Sequence, residues 1–327
     1  MDMISFGSVY LELVLGHVRE LPAPGEEVFS DDFAISCGGA VTSAGAAALA
    51  GVRAGLCTVL GDDLGSRVVT EYCASAGVQL SPSARVHGKS AGITVVLNFD
   101  GDRAFVTHLP PRPDDEPPRM DHWREVLRRE RPRWCYLHAG RGVTDFLREA
   151  RELGTRVVLD VSLDVSLGDE RHRGMIVECV RLADVFVPNE IELLRLTGAD
   201  TIGRAVAVAA AWGTPLVVKR GVAGALVAGP AGTTEVAEGV RRVQVRDLTG
   251  AGDAFAGAMI AALLRGVPLT EAVVPANAAG SEAVGRLGAV GEVEVPDVAV
   301  AGCTRDPAFT RAAAAQAARN AVPGHGQ

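Results

Sequence analysis

Short β-branched apolar runs alternate along the chain with longer stretches whose apolar residues recur every three or four positions. The first pattern marks buried strands and the second marks helices. The short runs predict strands at 4–6, 55–59, 134–138, 156–160, 184–188 and 215–219. The longer stretches predict helices near 41–50, 66–76, 144–153, 190–197, 251–264 and 270–284. This alternation argues for an α/β fold in which a central, mostly parallel sheet is covered on both faces by helices. Ligands of such sheets bind at the carboxyl ends of the strands.

Two segments break the alternation. Residues 9–36 and 92–108 read as strands with no helix between them, the second pair turning at Asp100-Gly101, a dipeptide suited to tight hairpins. They predict a small separate sheet, and such a sheet beside a ligand site makes a lid that excludes water. The proline-rich stretch 109–118 predicts a stiff, exposed connector. One domain is expected over residues 1–300, with an alanine-rich helix at 307–321 and a flexible tail in the remainder, 301–327.

With 327 residues, 48% of them hydrophobic and 22% charged, the chain can bury a large core. No apolar run is long enough to span a bilayer, and the N-terminus lacks a basic segment followed by an apolar one. A cytoplasmic protein without a membrane partner is therefore expected. The formal charge of −8 disfavours nucleic acid. The basic cluster at 124–133 is broken by Glu125 and Glu130 and reads as a solvated helix face. Six scattered cysteines without a C-x-x-C pair indicate reduced core thiols. The seven histidines lack metal-ligand spacing and read as structural. Gly88-Lys89-Ser90-Ala91-Gly92 matches a hydrolase nucleophile elbow and the end of a P-loop in letters only. A strand rather than a helix follows it, and Ser83 stands where the P-loop needs glycine.

Residues 247–257, reading Asp-Leu-Thr-Gly-Ala-Gly-Asp-Ala-Phe-Ala-Gly, carry the strongest chemical signal. Gly250, Ala251 and Gly252 let the backbone aim several amides at one point, where the following helix adds its positive dipole end. Asp253 enters in the first turn, where a carboxylate can take a proton from a hydroxyl while the amides hold a phosphoryl group. The string resembles the D-T-x-G-A-G-D signature of the ribokinase-like (PfkB) family of carbohydrate and nucleoside kinases. The resemblance implies an ATP-dependent phosphotransferase with Asp253 as general base and the amides of Gly250, Ala251 and Gly252 as anion hole. It also implies a lid built from segments 9–36 and 92–108, through which many members form homodimers.

Other segments resemble the family's motifs in order. Gly38-Gly39 and Ser43 stand in the G-G-x-x-x-N-x-A signature, where the glycines approach the substrate and Ser43 replaces a hydroxyl-binding asparagine. Glu12 stands where the family grips a vicinal diol with aspartate. Asp160-Val161-Ser162-Leu163-Asp164 occupies the place of D-x-N-x-R, and Asp164 reverses the charge that would hold an acid. A neutral acceptor is therefore expected. Asn189 and Glu192 match N-x-x-E, implying Mg2+ held through water, and the same pair suits a helix start. Lys219, Gly221 and Gly224 match the nucleotide segment T-x-G-x-x-G, with Lys219 at the threonine position. Asn277 and Gly288 fall in the adenine-side helix and closing loop. Asp247 and the Thr249 carbonyl correspond to part of a monovalent-cation site suited to K+. The expected function is phosphorylation of a small neutral sugar or polyol. The alternatives are a nucleoside kinase of the same family and a non-catalytic sugar-binding or regulatory homologue, against which the retained Asp253 argues.

Overall fold

The computed structural model describes residues 1–99, 102–111, 119–162, 170–230 and 232–294. The expected turn at 100–101, Asp164, most of the proline-rich connector and the C-terminal helix lie outside them. All described residues fall in one compact unit, Met1–Pro296.

β1 (Met3–Phe6) is buried at every residue, as a strand covered on both faces must be. The chain then leaves that layer for β2 (Val9–Gly16) and β3 (Asp32–Gly39) and returns through α1 (Ala40–Leu49) to β4 (Ala54–Cys57). β5 (Val59–Leu60), α2 (Leu64–Ala76) and β6 (Ala84–Arg85) lead to a second excursion, β7 (Gly92–Phe99) and β8 (Asp102–His108). Helix and strand follow in turn: α3 (Arg119–Glu130), β9 (Trp134–His138), α4 (Val143–Glu152), β10 (Arg156–Asp160), α5 (Glu170–Leu182) and β11 (Val185–Phe186). α6 (Glu190–Thr197) and α7 (Ile202–Ala210) precede β12 (Leu216–Lys219), then come the hairpin β13 (Ala225–Gly229) and β14 (Gly232–Val236) and the helices α8 (Ala251–Leu264) and α9 (Leu269–Ala283).

The main sheet has eight strands in the order β14-β13-β12-β11-β10-β9-β1-β4. Neighbours from β12 to β4 are parallel, and β13 and β14 run antiparallel beside them. The two-residue period of each strand feeds two cores. Cys135 and Leu137 of β9 pack with Phe146, Ile176 and Leu193 on one face. Trp134 and Tyr136 pack with Phe255 and Met259 on the other. α8 is buried at every residue from Ala254 to Ala262, which explains why its sequence is apolar all round.

β3, β2, β7 and β8 form the separate sheet expected of a lid. Its inner face packs on the segment after α9, with Val14, Ala34 and Val96 around Leu287. Three hydrogen bonds fasten it there: Ser36 Oγ to the Gly291 carbonyl at 2.7 Å, the Ala289 amide to Glu12 Oε2 at 3.1 Å and the Val293 amide to the Ile35 carbonyl at 2.9 Å. Its outer face leaves Phe33, Ile93 and Val106 exposed.

Candidate active site

β9, β10 and β12 end at His138, Asp160 and Lys219, and these three carboxyl ends meet the N-terminus of α8. Gly250 begins that helix in the left-handed region, with φ 75°. A Cβ there would lie 2.7 Å from the Ala289 backbone, so both conformation and space demand glycine. No side chain caps the helix, and the amides of its first turn have no partner within it.

Asp253 sits in this first turn. Its Oδ1 accepts from the Tyr136 hydroxyl at 2.8 Å and lies 3.6 Å from His138 Nε2. The same hydroxyl is 2.9 Å from Asp160 Oδ2 and 3.1 Å from His138 Nε2. Lys219 Nζ donates to Asp160 Oδ2 at 2.6 Å, and the Val161 amide donates to Asp160 Oδ1 at 2.8 Å. Tyr136 and Asp160 are buried. Asp253 keeps 23% of its side-chain surface exposed and His138 keeps 40%, so solvent reaches both.

Burial opposes ionisation of Asp253, yet the neighbouring His138 imidazole, helped by Tyr136 and Lys219, holds its carboxyl below the ordinary range. Burial pulls the His138 imidazole down, but the nearby carboxylates of Asp253 and Asp160 outweigh it and leave it raised. The result is an ionised carboxylate at neutral pH. Among the described residues its hydrogen bond falls on Oδ1, which leaves Oδ2 for a ligand.

Asn189 and Glu192 form a reciprocal capping box at the start of α6, with bonds of 2.8 and 2.7 Å. Burial, and next the Asp160 charge, push the Glu192 carboxyl up to about 7. No cluster of three or more metal-ligating side chains exists among the described residues. Asn189 Oδ1 and Glu192 Oε2 are taken by the cap, and the pair forms no protein-only metal cage.

Several expected ligands have other partners. Glu12 is 5% exposed, its Oε2 accepts from Ala289, and a Cβ on Gly38 would overlap its Oε1. Burial pushes its carboxyl up to about 7. Gly38 therefore makes room for Glu12, while Gly39, at φ 84°, passes against the Ser8 carbonyl. Ser43, expected to contact substrate, lies in the core. It is fully buried, and its Oγ bonds Ser5 Oγ at 2.8 Å and the Ala40 carbonyl at 3.2 Å.

Asn277 likewise does not turn its amide nitrogen to a base. Nδ2 donates to the carbonyls of Val236 and Glu238 at 3.0 and 2.9 Å and holds the backbone after β14. Gly221 opens a single 3-10 turn, and Gly224 passes against the Val236 carbonyl where side chains would collide. Asp247 and Thr249, expected at a cation site, bond each other. Asp247 Oδ1 accepts from the Thr249 amide and hydroxyl, and Oδ2 accepts from the Gly288 amide. This fastens the loop before α8 to the loop after α9.

Tyr136 and His138 are the site residues that motif reading passes over, whereas Asp160 stands in the segment that occupies the place of D-x-N-x-R. The signal was present in Trp-Cys-Tyr-Leu-His, whose alternation puts Tyr136 and His138 on one face at a strand's carboxyl end.

Residues 4–295 match the pfkB family carbohydrate kinase profile. The chain is similar to the cytidine kinase of Thermococcus kodakarensis, 26% identical over 301 residues that cover 84% of this chain and 92% of the relative. It is 30% identical over 281 residues to the aminoimidazole riboside kinase of Salmonella typhimurium, covering 80% and 85%. In three dimensions it resembles the E. coli ribokinase II solved in complex with ATP and Mg2+, with a TM-score of 0.73, 22% identity and coverage of 88% and 94%. With nearly its whole described length matched and the fold shared, this chain belongs to the pfkB family of carbohydrate kinases.

Proposed function

We propose that the protein transfers the terminal phosphoryl group of ATP to a hydroxyl of a small neutral sugar or related polyol. The observation that carries this reading is Asp253, an ionised carboxylate with one oxygen held by Tyr136 and the other unengaged, in the first turn of an uncapped helix. Asp253 accepts the hydroxyl proton on Oδ2 as the acceptor oxygen attacks phosphorus. The amides of Ala251 and Gly252 receive the charge that develops on the phosphoryl oxygens. Mg2+, when bound, offsets phosphate charge, and Asn189 and Glu192 would hold its waters. The Gly221–Ala223 turn and the backbone pinned by Asn277 make the nucleotide wall.

A nucleoside acceptor is the second reading, favoured by the likeness to a cytidine kinase. The exposed apolar outer face of the lid, with Phe33 and Val106, supports a homodimer formed lid to lid. The described cysteines are all free and buried, which supports a cytoplasmic setting.

The test is ADP release with ATP, Mg2+ and a panel of pentoses, hexoses, polyols and nucleosides. Asp253→Asn should lower kcat at least about 100-fold with little change in ATP affinity. Equal turnover by that variant removes Asp253 from the mechanism. Acceptor binding without any turnover of the wild type favours the regulatory homologue.

A further inference from the structure

Lys219 helps to keep Asp253 ionised, and its placement is specific. It is the last residue of β12, its side chain is only 14% exposed, and its Nζ donates to Asp160 Oδ2 at 2.6 Å. The ammonium also lies against the first turn of α8, since a Cβ added to Gly252 would stand 3.0 Å from Nζ. A cation at the positive end of a helix is unfavourable by itself, and burying an ammonium adds to the cost. The charges of Asp160, Glu192 and Asp253 offset that cost, but the ion pair with Asp160 needs no helix terminus beside it.

An anion accounts for the placement beside that terminus. A transferring phosphoryl group spreads its charge over three equatorial oxygens, more than two amides can satisfy, and a compact ammonium suits the remainder. We propose that Lys219 is a catalytic residue whose ammonium contacts the transferring phosphoryl group beside the amides of Ala251 and Gly252, with Asp160 holding it aimed at that point. The inference rests on the kinase reading and deepens it. The bond from acceptor oxygen to phosphorus forms, and the bond from phosphorus to the bridging oxygen breaks with its electron pair leaving on ADP. The acceptor's proton passes to Asp253, and Lys219 keeps all of its own. The position is one where the family signature carries a neutral threonine, so this chain has a full charge there.

Breaking the ion pair from each side separates this role from a structural one. Lys219→Met should lower kcat about 100-fold and abolish the preference for ATP over ADP in calorimetric titrations, with AMP affinity unchanged. Asp160→Asn, which keeps the ammonium, should lose less than about 10-fold in kcat and retain the ATP preference. Thermal melts report the folding of both. If Lys219→Met folds poorly, the neutral pair Lys219→Met with Asp160→Asn replaces it and should show the same loss. Equal losses from both single variants, or a kcat for Lys219→Met within about threefold of wild type, overturn the proposal. A wild-type protein that neither binds nor turns over ATP removes the underlying kinase reading instead.

Discussion

Tyr136 donates its phenolic hydrogen to Asp253 Oδ1 across 2.8 Å, from a position 117 residues earlier in the chain. The bond fixes the carboxylate's orientation from the sheet side, while α8 fixes it from the helix side. His138 completes the support at 3.6 Å.

The acid limb of activity should therefore respond to these two supports. An acid whose folded pKa is depressed stays ionised until the pH falls through that depressed value, and Asp253 is held low by its neighbours. His138→Gln or Tyr136→Phe lets the value rise, so kcat/KM should begin to fall at a higher pH. A larger loss relative to wild type in acid than above neutrality is expected. Profiles of ADP release against pH check this, and an acid limb that does not move rules out the supporting role.

Glu12 should make stability fall as pH rises. Its folded carboxyl titrates near 7 against an ordinary 4.5. The native state therefore holds a proton that the unfolded chain releases, so stability is fully present below pH 4.5 and lost as pH rises through 7. Glu12→Gln keeps an acceptor for Ala289 and removes the titration. The variant should exceed the wild type above pH 7 by at most about 3 kcal/mol and match its pH trend in acid. Tm values at pH 5 and 8 decide, and parallel curves for the two proteins would contradict the assignment.

Gly250→Ala should disable the anion hole. The residue has φ 75°, and its new methyl would press on Ala289 at 2.7 Å. A stability loss of about 2 kcal/mol or more is expected from strain and overlap together, with ADP release abolished. A folded variant of ordinary activity would mean that the turn is not held as described.

Ser43→Ala should lower Tm through loss of a buried hydrogen bond worth about 1 kcal/mol, because Ser43 bonds Ser5 in the core. The acceptor KM should not change. A raised KM with unaltered Tm would return Ser43 to the substrate site.

Much of this arrangement is legible in sequence, and the misses have physical causes. β9, β10, α6 and α8 fall on their expected bounds because their patterns are long, strongly apolar or clearly capped. α5 is not legible because it buries only a narrow stripe, Ile176, Cys179 and Val180, and α3 shows in sequence only through the solvated basic face expected at 124–133, its buried stripe of Trp123, Val126 and Leu127 being as narrow. Motifs name a residue type but not the direction of its side chain, which is how Ser43 and Asn277 come to serve the backbone. Histidine spacing searches for metal partners within one segment, whereas His138 finds Asp253 and Tyr136 only through the folded sheet and helix.

Ala289 gives its amide to the lid through Glu12 and its main chain to the back of Gly250. Swinging the four-stranded cover aside thus entails either snapping that link or dragging the support of the glycine turn with it. The cover and the glycine turn consequently share one piece of backbone.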